Sequence, residues 1–316
     1  MLRKNLSRRH LLQLALKAGA ASCLAPILNT TAMNFITAKA TLIKRSIPGT
    51  GELLPVVGLG TWQTFDVGPS PVSRADVKEV LRLFADLGGT LIDSSPMYGR
   101  SEEVVGDLSV ALKLQKKLFM ATKVWTQGEQ AGIKQMETSM REMQARPLDL
   151  MQIHNLVDWR THIKTLRRWK EEQRIRYIGI THYLVSAFDE LERIIKTEPI
   201  DFVQLNYNIA TRDAAKRLLP LAAEKKVAVI VNRPFESGAL FSAVKGKPLP
   251  AWANDFDCQS WGQFFLKYIL GHPAITCVIP ATAKPKHLTD NMQAGYGRLP
   301  DEATRKKMEE FIQKLS

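Results

Sequence analysis

Four residues invite a chemical reading: Asp93, Tyr98, Lys123 and His154. Asp93 and Tyr98 share the stretch IDSSPMYG (92–99), where an apolar run ends in a carboxylate and a phenol follows five residues later. Lys123 ends the apolar run LFMATK (118–123), and His154 ends LMQIH (150–154). A tyrosine with an ordinary pKa of about 10 is a poor proton donor at neutral pH. A neighbouring ammonium stabilises the phenolate and lowers that value, while a buried aspartate keeps the ammonium charged and in place. A neutral imidazole can hydrogen-bond a carbonyl oxygen and orient it. Together the four would protonate an oxyanion as a hydride reaches the adjoining carbon. Singly, each has an ordinary explanation as a helix cap, a packed ring or a satisfied polar side chain. Only a fold that delivers all four to one place makes them a site.

Past residue 50, short apolar runs alternate with segments of helical period. The runs are LPVVGLG (54–60), TLID (90–93), LFMATK (118–123), LMQIH (150–154), YIGIT (177–181), FVQLN (202–206), VAVIV (227–231) and ITCVIP (275–280). Each is too short for a helix, and most are rich in Ile, Val or Leu, as strands buried on both faces should be. Between the first two runs, Val77, Val80, Leu81, Phe84 and Leu87 make one helical stripe. Ile133, Met136, Met140 and Met143 make another, and these methionines are read as core packing. The count is eight strand–helix units with a final helix at 301–315.

An open doubly wound sheet and a closed barrel both alternate in this way. The open dinucleotide fold should show G-x-G-x-x-G after its first strand, but GLGTWQ (58–63) lacks the third glycine, and no phosphate-binding P-loop occurs. The expected fold is therefore a single-domain (β/α)8 TIM barrel over residues 41–316. The stretch IKRSIPGTGELLP (43–55) reads as an N-terminal β-hairpin capping the barrel bottom. In such a barrel chemistry collects at the C-terminal ends of the strands. Three adjacent strands would then bring Asp93, Tyr98, Lys123 and His154 to one rim.

With those motifs in order, the sequence from about residue 50 to the end resembles the aldo/keto reductase superfamily. GLGTW (58–62), IDSSPMYG (92–99), ATKVW (121–125) and LMQIH (150–154) match its successive active-site motifs. The resemblance implies that Asp93, Tyr98, Lys123 and His154 form a catalytic tetrad with Tyr98 as general acid. It implies reduction of an aldehyde or ketone by a nicotinamide cofactor lying across the barrel mouth. A low-turnover nicotinamide-binding sensor or accessory subunit on the same barrel is the competing expectation.

The likeness also implies cofactor contacts. Gly60, Thr61 and Trp62 belong to the first motif. Thr181 and His182 stand where the family has a Ser-Asn pair for the carboxamide, and Gln204 stands at its glutamine. Asn232 occupies the position of a stacking aromatic, and Arg233 is placed for the pyrophosphate. After the eighth strand, Thr282, Lys284, His287 and Asn291, with Lys286 beside them, resemble the segment that grips the adenosine 2′-phosphate. Ala281 and His287 replace a lysine and an arginine common there. NADP(H) is thus expected over NAD(H). Trp62 and Trp125 would line the substrate mouth.

The formal charge of +13 first suggests an anionic partner. Residues 1–40, however, hold six basic residues and no acid, leaving +7 scattered through helices with no basic run. That argues against nucleic acid. The same forty residues run from a basic start through a mildly apolar stretch to Ala38-Lys39-Ala40, the order of an export signal. Ser7-Arg8-Arg9-His10-Leu11-Leu12 resembles a twin-arginine signature, so passage through the twin-arginine machinery to the periplasm is expected. The apolar stretch, interrupted by Lys17, Gly19 and Ser22, is too polar and short for a stable membrane span. Cys23, Cys258 and Cys277 form no disulfide framework, and no Cys/His spacing suggests a metal.

Overall fold

A computed structural model describes residues 41–315. The expected export segment, with Arg8, Arg9 and Cys23, lies outside the described residues. The chain enters as a hairpin in which β1 (Lys44–Ser46) pairs antiparallel with β2 (Leu53–Pro55). The turn is closed by the amides of Thr50 and Gly51 on the Ile47 carbonyl, at 3.1 and 2.8 Å. Ile47 and Leu54 are 1% and 2% exposed and join the cluster that fills the barrel interior. Burial of that kind contributes about 1.5–3 kcal/mol per side chain. The hairpin is therefore the barrel's floor, as its sequence suggests.

Among the described residues, eight parallel strands follow in sequence order. They are β3 (Leu59–Gly60), β4 (Leu91–Asp93), β5 (Phe119–Val124), β6 (Leu148–His154), β7 (Ile175–His182), β8 (Phe202–Asn206), β9 (Ala228–Asn232) and β10 (Cys277–Val278). Bridges from Val57 to Val278 and from Gly60 to Ala281 join the last strand to the first. The sheet is thus closed into a (β/α)8 barrel. Two strand boundaries differ from the sequence reading. The run 54–60 is split, because Leu54 belongs to the floor hairpin and only Leu59–Gly60 enters the barrel. The run 275–280 contracts to Cys277–Val278; Pro280, without an N–H, could donate nothing to a longer ladder.

The outer layer begins with α1 (Pro71–Asp86), capped by the Ser70 hydroxyl, which accepts from the Ser73 amide, and buried along Val77, Val80, Leu81 and Phe84. It continues with α2 (Ser101–Ala111), α3 (Glu129–Glu142), α4 (Trp159–Glu171), α5 (Phe188–Thr197) and α6 (Leu218–Glu224). A short α7 (Ala239–Ala243) sits in the loop after β9, followed by α8 (Trp261–Leu270), α9 (Pro285–Gln293) and a closing α10 (Glu302–Leu315). Met136, Met140 and Met143 are buried in the layer between α3 and the barrel, as packing residues. Among the described residues, no helix is long and apolar enough to cross a membrane.

Inside the barrel, the two-residue period of the strands sorts polarity by height. Low in the interior, Phe119, Tyr177 and Phe202 meet with ring centroids 5.5–6.1 Å apart. Two steps of that period lead from Phe119 through Ala121 to Lys123. One step leads from Leu150 to Gln152 and a second to His154; from Phe202 one step reaches Gln204. An apolar floor thus becomes a polar top within two layers.

Candidate active site

The top layer is built around a buried ion pair. The Lys123 ammonium donates to Asp93 Oδ2 at 2.6 Å and to the Ser94 carbonyl at 2.6 Å, with Lys123 fully buried and Asp93 2% exposed. The other carboxylate oxygen, Asp93 Oδ1, accepts from the amides of Gln152 and Gln204, each at 2.9 Å. Gln204 also donates to Gln152 Oε1 at 3.1 Å. Both carboxylate oxygens are therefore partnered, which is the condition under which a buried pair is tolerable. A Cβ at position 179 would fall 2.8 Å from Gln152 Cγ, so Gly179 in β7 clears the space that lets Gln152 reach the aspartate.

Tyr98 completes the group from above. The Lys123 ammonium lies 4.9 Å from the centroid of its ring. Burial holds the phenol above its ordinary value; Lys123 pulls it down and Asp93 pushes it up, and the net direction is upward. This corrects the expectation that the ammonium alone would set a lowered value, since desolvation of the phenolate is the larger effect. Lys123 is held above the usual lysine range: burial pulls it down, but Asp93 and Tyr98 outweigh that. At neutral pH the arrangement therefore presents a protonated phenol over a charged ammonium, which is a proton source.

His154 stands across from it, with ring centroids 5.8 Å apart at 86°. Burial, then the Lys123 charge and His182, depress its pKa to about 2, so the imidazole is neutral. Its Nδ1 lies 2.9 Å from the hydroxyl of buried Ser95. The loop between Asp93 and α2 is held at several points. The Thr61 hydroxyl donates towards the Asp93 carbonyl and the Ser94 hydroxyl, both at 3.0 Å, and the Tyr98 amide donates to the Ser95 carbonyl at 2.9 Å. Gly99 turns at φ 60° against Asp66, whose carboxylate accepts from the Arg100 amide at 3.0 Å, and a Cβ there would lie 2.3 Å from that carboxylate. A larger residue at 99 would be strained at this φ and would push the Asp66 carboxylate aside.

Above the four residues opens a cavity of about 620 Å³, lined by Gly60, Thr61, Trp62, Asp93, Met97, Tyr98, His154, Thr181, Gln204, Asn232, Arg233, Phe235, Phe241 and Ala281 among others. Seven residues expected at the cofactor face this wall: Gly60, Thr61, Trp62, Thr181, Gln204, Asn232 and Arg233. Lys123 lies beneath it. His182 is not brought to the wall; its Nδ1 accepts from the Leu184 amide at 3.1 Å and its ring stacks on Tyr183. Trp125 is also outside the lining, though its ring comes within 6.4 Å of His154. Arg233 is paired with Glu236 at 3.3 Å and lies over Tyr183. Thr282, Lys284, Lys286, His287 and Asn291 gather in the turn and first helical turns of α9, where the Thr282 hydroxyl accepts from the Lys284 amide at 3.0 Å. Lys284, Lys286 and His287 are exposed there. Cys258 and Cys277 are buried free thiols, both pushed upward by burial, Cys258 to about 11, so neither is poised as a thiolate.

The chain as a whole has counterparts among known proteins. The model of the aldo/keto reductase family matches residues 56–310. The chain is a member of that family. A methylglyoxal reductase of Escherichia coli K12, YeaE, is 27% identical over 75% of this chain and 84% of its own. An aldo-keto reductase of Bacillus subtilis, YhdN, is 27% identical over 59% of this chain and 60% of its own length. Among solved structures, an aldo/keto reductase from Klebsiella pneumoniae in complex with NADP and acetate has a TM-score of 0.72 at 23% identity, covering 85% of this chain and 96% of its own.

Of the residues that partner the four, the sequence pointed to Gln204 but not to Gln152 or Ser95. Gln152 could have been found two residues before His154, on the same strand face. Ser95 carried no comparable signal, because a loop serine has no periodicity. Glu102 was also missed. It lies in the first turn of α2, 1% exposed, and accepts from the hydroxyls of Thr122, beside Lys123, and of Ser139 in α3, the latter at 3.0 Å. Burial raises its carboxyl to about 7 although both hydrogen bonds pull it down. The native state therefore binds this proton more tightly than the unfolded chain. The stability it contributes is fully present below the ordinary value of 4.5 and is lost as pH rises through 7. The loss is on the order of 3 kcal/mol. Urea midpoints at pH 5 and pH 8 should fall with rising pH in the wild type and change less in Glu102→Gln. Equal pH dependence in the two proteins would show that Glu102 does not carry this proton.

Proposed function

We propose that this chain reduces aldehydes or ketones to alcohols, with Tyr98 as the proton donor. The observation that carries the reading is the buried Lys123–Asp93 pair beneath a protonated Tyr98 and a neutral His154, all at the floor of one cavity. A nicotinamide cofactor, when bound, supplies the hydride. His154 hydrogen-bonds the carbonyl oxygen and directs it towards Tyr98. The Tyr98 hydroxyl gives its proton to that oxygen as negative charge develops on it. Lys123 stabilises the phenolate left behind, and Asp93 keeps Lys123 charged. A non-catalytic sensor would have no use for a buried ammonium under a phenol, and burying that pair is costly.

The cavity's own residues fit a nicotinamide. Gln204 spends its amide hydrogens on Asp93 and Gln152, while its oxygen lies within reach of the Thr181 hydroxyl and the Asn232 amide at 3.3 and 3.4 Å. Asn232 Oδ1, in contrast, is buried without a partner among the described residues. A carboxamide N–H would satisfy it, so Asn232 takes the role expected of Gln204. Trp62, Met97 and Phe241 give the substrate an apolar wall, suited to a small carbonyl compound. Two Escherichia coli relatives are named as methylglyoxal reductases, one of them NADH-specific. The start of α9, where the Lys284 and Lys286 ammonium groups are exposed, supports NADP(H) here, since a helix N-terminus and lysine side chains both favour a phosphate. Residues 1–40 support export by the twin-arginine route to the periplasm, with the barrel folding and binding its cofactor beforehand.

Tyr98→Phe should lower kcat for carbonyl reduction by about 10²–10⁴-fold with cofactor affinity nearly unchanged; a variant near wild-type kcat would rule out Tyr98 as the acid. Replacing Lys284 and Lys286 together with Ala should weaken NADPH much more than NADH, because only NADPH carries the extra phosphate. Equal losses would make both lysines bystanders. Fractionated cells should show the wild type in the periplasm and an Arg8→Lys, Arg9→Lys variant retained inside. Equal periplasmic amounts would dismiss the twin-arginine route.

A further inference from the structure

The tetrad leaves one question of atoms open: which nitrogen of His154 carries the hydrogen. Resting on the carbonyl-reduction reading above, we infer that Ser95 is a positioning residue that fixes His154 in the tautomer with its hydrogen on Nε2. Ser95 is fully buried, and its Oγ has two partners among the described residues: His154 Nδ1 at 2.9 Å and the Met97 amide at 3.4 Å. The Met97 amide can only donate, so Oγ accepts from it. If Nδ1 also donated to Oγ, the serine's own hydrogen would have no acceptor and no access to water, a costly state for a buried hydroxyl. The satisfied arrangement sends the serine hydrogen to Nδ1. A neutral imidazole that accepts at Nδ1 must carry its hydrogen on Nε2.

The consequence falls on the reacting atoms. His154 lines the cavity, and its Nε2 takes no protein partner among the described residues. With hydrogen on Nε2 the ring donates to a substrate carbonyl oxygen; with hydrogen on Nδ1 it would present a lone pair and repel that oxygen. Ser95 itself never touches substrate. The loop hydrogen bonds that hold Tyr98 also hold this serine, so one short segment supplies the proton donor and sets the orienting group opposite it.

The test is to measure the tautomer of His154 directly in the full protein loaded with NADPH, by nitrogen-15 NMR with labelled histidine, with His154→Gln to assign the signal. The wild type should show hydrogen on Nε2 and a bare Nδ1. In Ser95→Ala the Nδ1 resonance should shift or divide between tautomers, with kcat down about tenfold or more and the NADPH dissociation constant within about twofold. Ser95→Thr, which keeps a hydroxyl, should recover the wild-type tautomer. Hydrogen on Nδ1 in the wild type would overturn the inference, as would an unchanged tautomer in Ser95→Ala, even with reduced kcat. Because the tautomer is read without turnover, a protein that reduced no carbonyl would count against the proposed function and leave this measurement standing.

Discussion

The contact on which the site depends is the pair between Lys123 and Asp93, 2.6 Å apart and almost wholly removed from water. Two isolated charges placed there would be strongly unfavourable. They are tolerable because the surroundings finish the job: Ser94 offers its carbonyl to the ammonium, and Gln152 and Gln204 donate to the free carboxylate oxygen. Removing either charge would leave the other buried and uncompensated. The same dryness gives the pair its chemical effect. An ammonium under a phenol exerts a far stronger field here than in water, so the phenolate can form as the proton leaves.

The barrel satisfies the pair's demands in a way that few architectures could. Each partner comes from a different strand, β4, β5, β6 and β8, and all face inward at nearly one height. Below them lie the aromatic rings of Phe119, Tyr177 and Phe202, sealed by Ile47 and Leu54 from the hairpin. Water is excluded from beneath, while the cavity opens above. Glu102 extends the same logic outside the barrel, tying α2 to β5 and α3 behind Lys123.

Much of this was legible in the sequence, for identifiable reasons. Eight apolar runs of strand length separated by helical stripes announce a parallel α/β fold, because burial on both faces leaves a continuous signature, and the missing third glycine in GLGTWQ (58–63) turned that reading to the barrel. Asp93, Lys123 and His154 were readable since each stands at or within one residue of a strand end, the position from which a barrel presents chemistry. Less visible was what depends on distance across the interior. That Gln204 serves Asp93, leaving Asn232 with the unpartnered oxygen, follows from the width of the barrel and not from any motif. His182 spends its Nδ1 on the Leu184 amide two residues on, a local contact that no motif announces. The net upward shift of Tyr98 needed its burial to be known, since burial, and not the opposing effects of Lys123 and Asp93, is the largest cause.

Asp93→Asn keeps the shape of the buried pair that empowers Tyr98 and removes its negative charge. Lys123 would then lose the anion that offsets its burial, and its ammonium would give up its proton more readily. The pH profile of kcat for carbonyl reduction in the NADPH-loaded protein is the measurement. In Asp93→Asn kcat should fall at least about a hundredfold, with the remaining activity declining at lower pH than in the wild type. Near-wild-type kcat and an unmoved profile would show that the buried pair does not empower Tyr98.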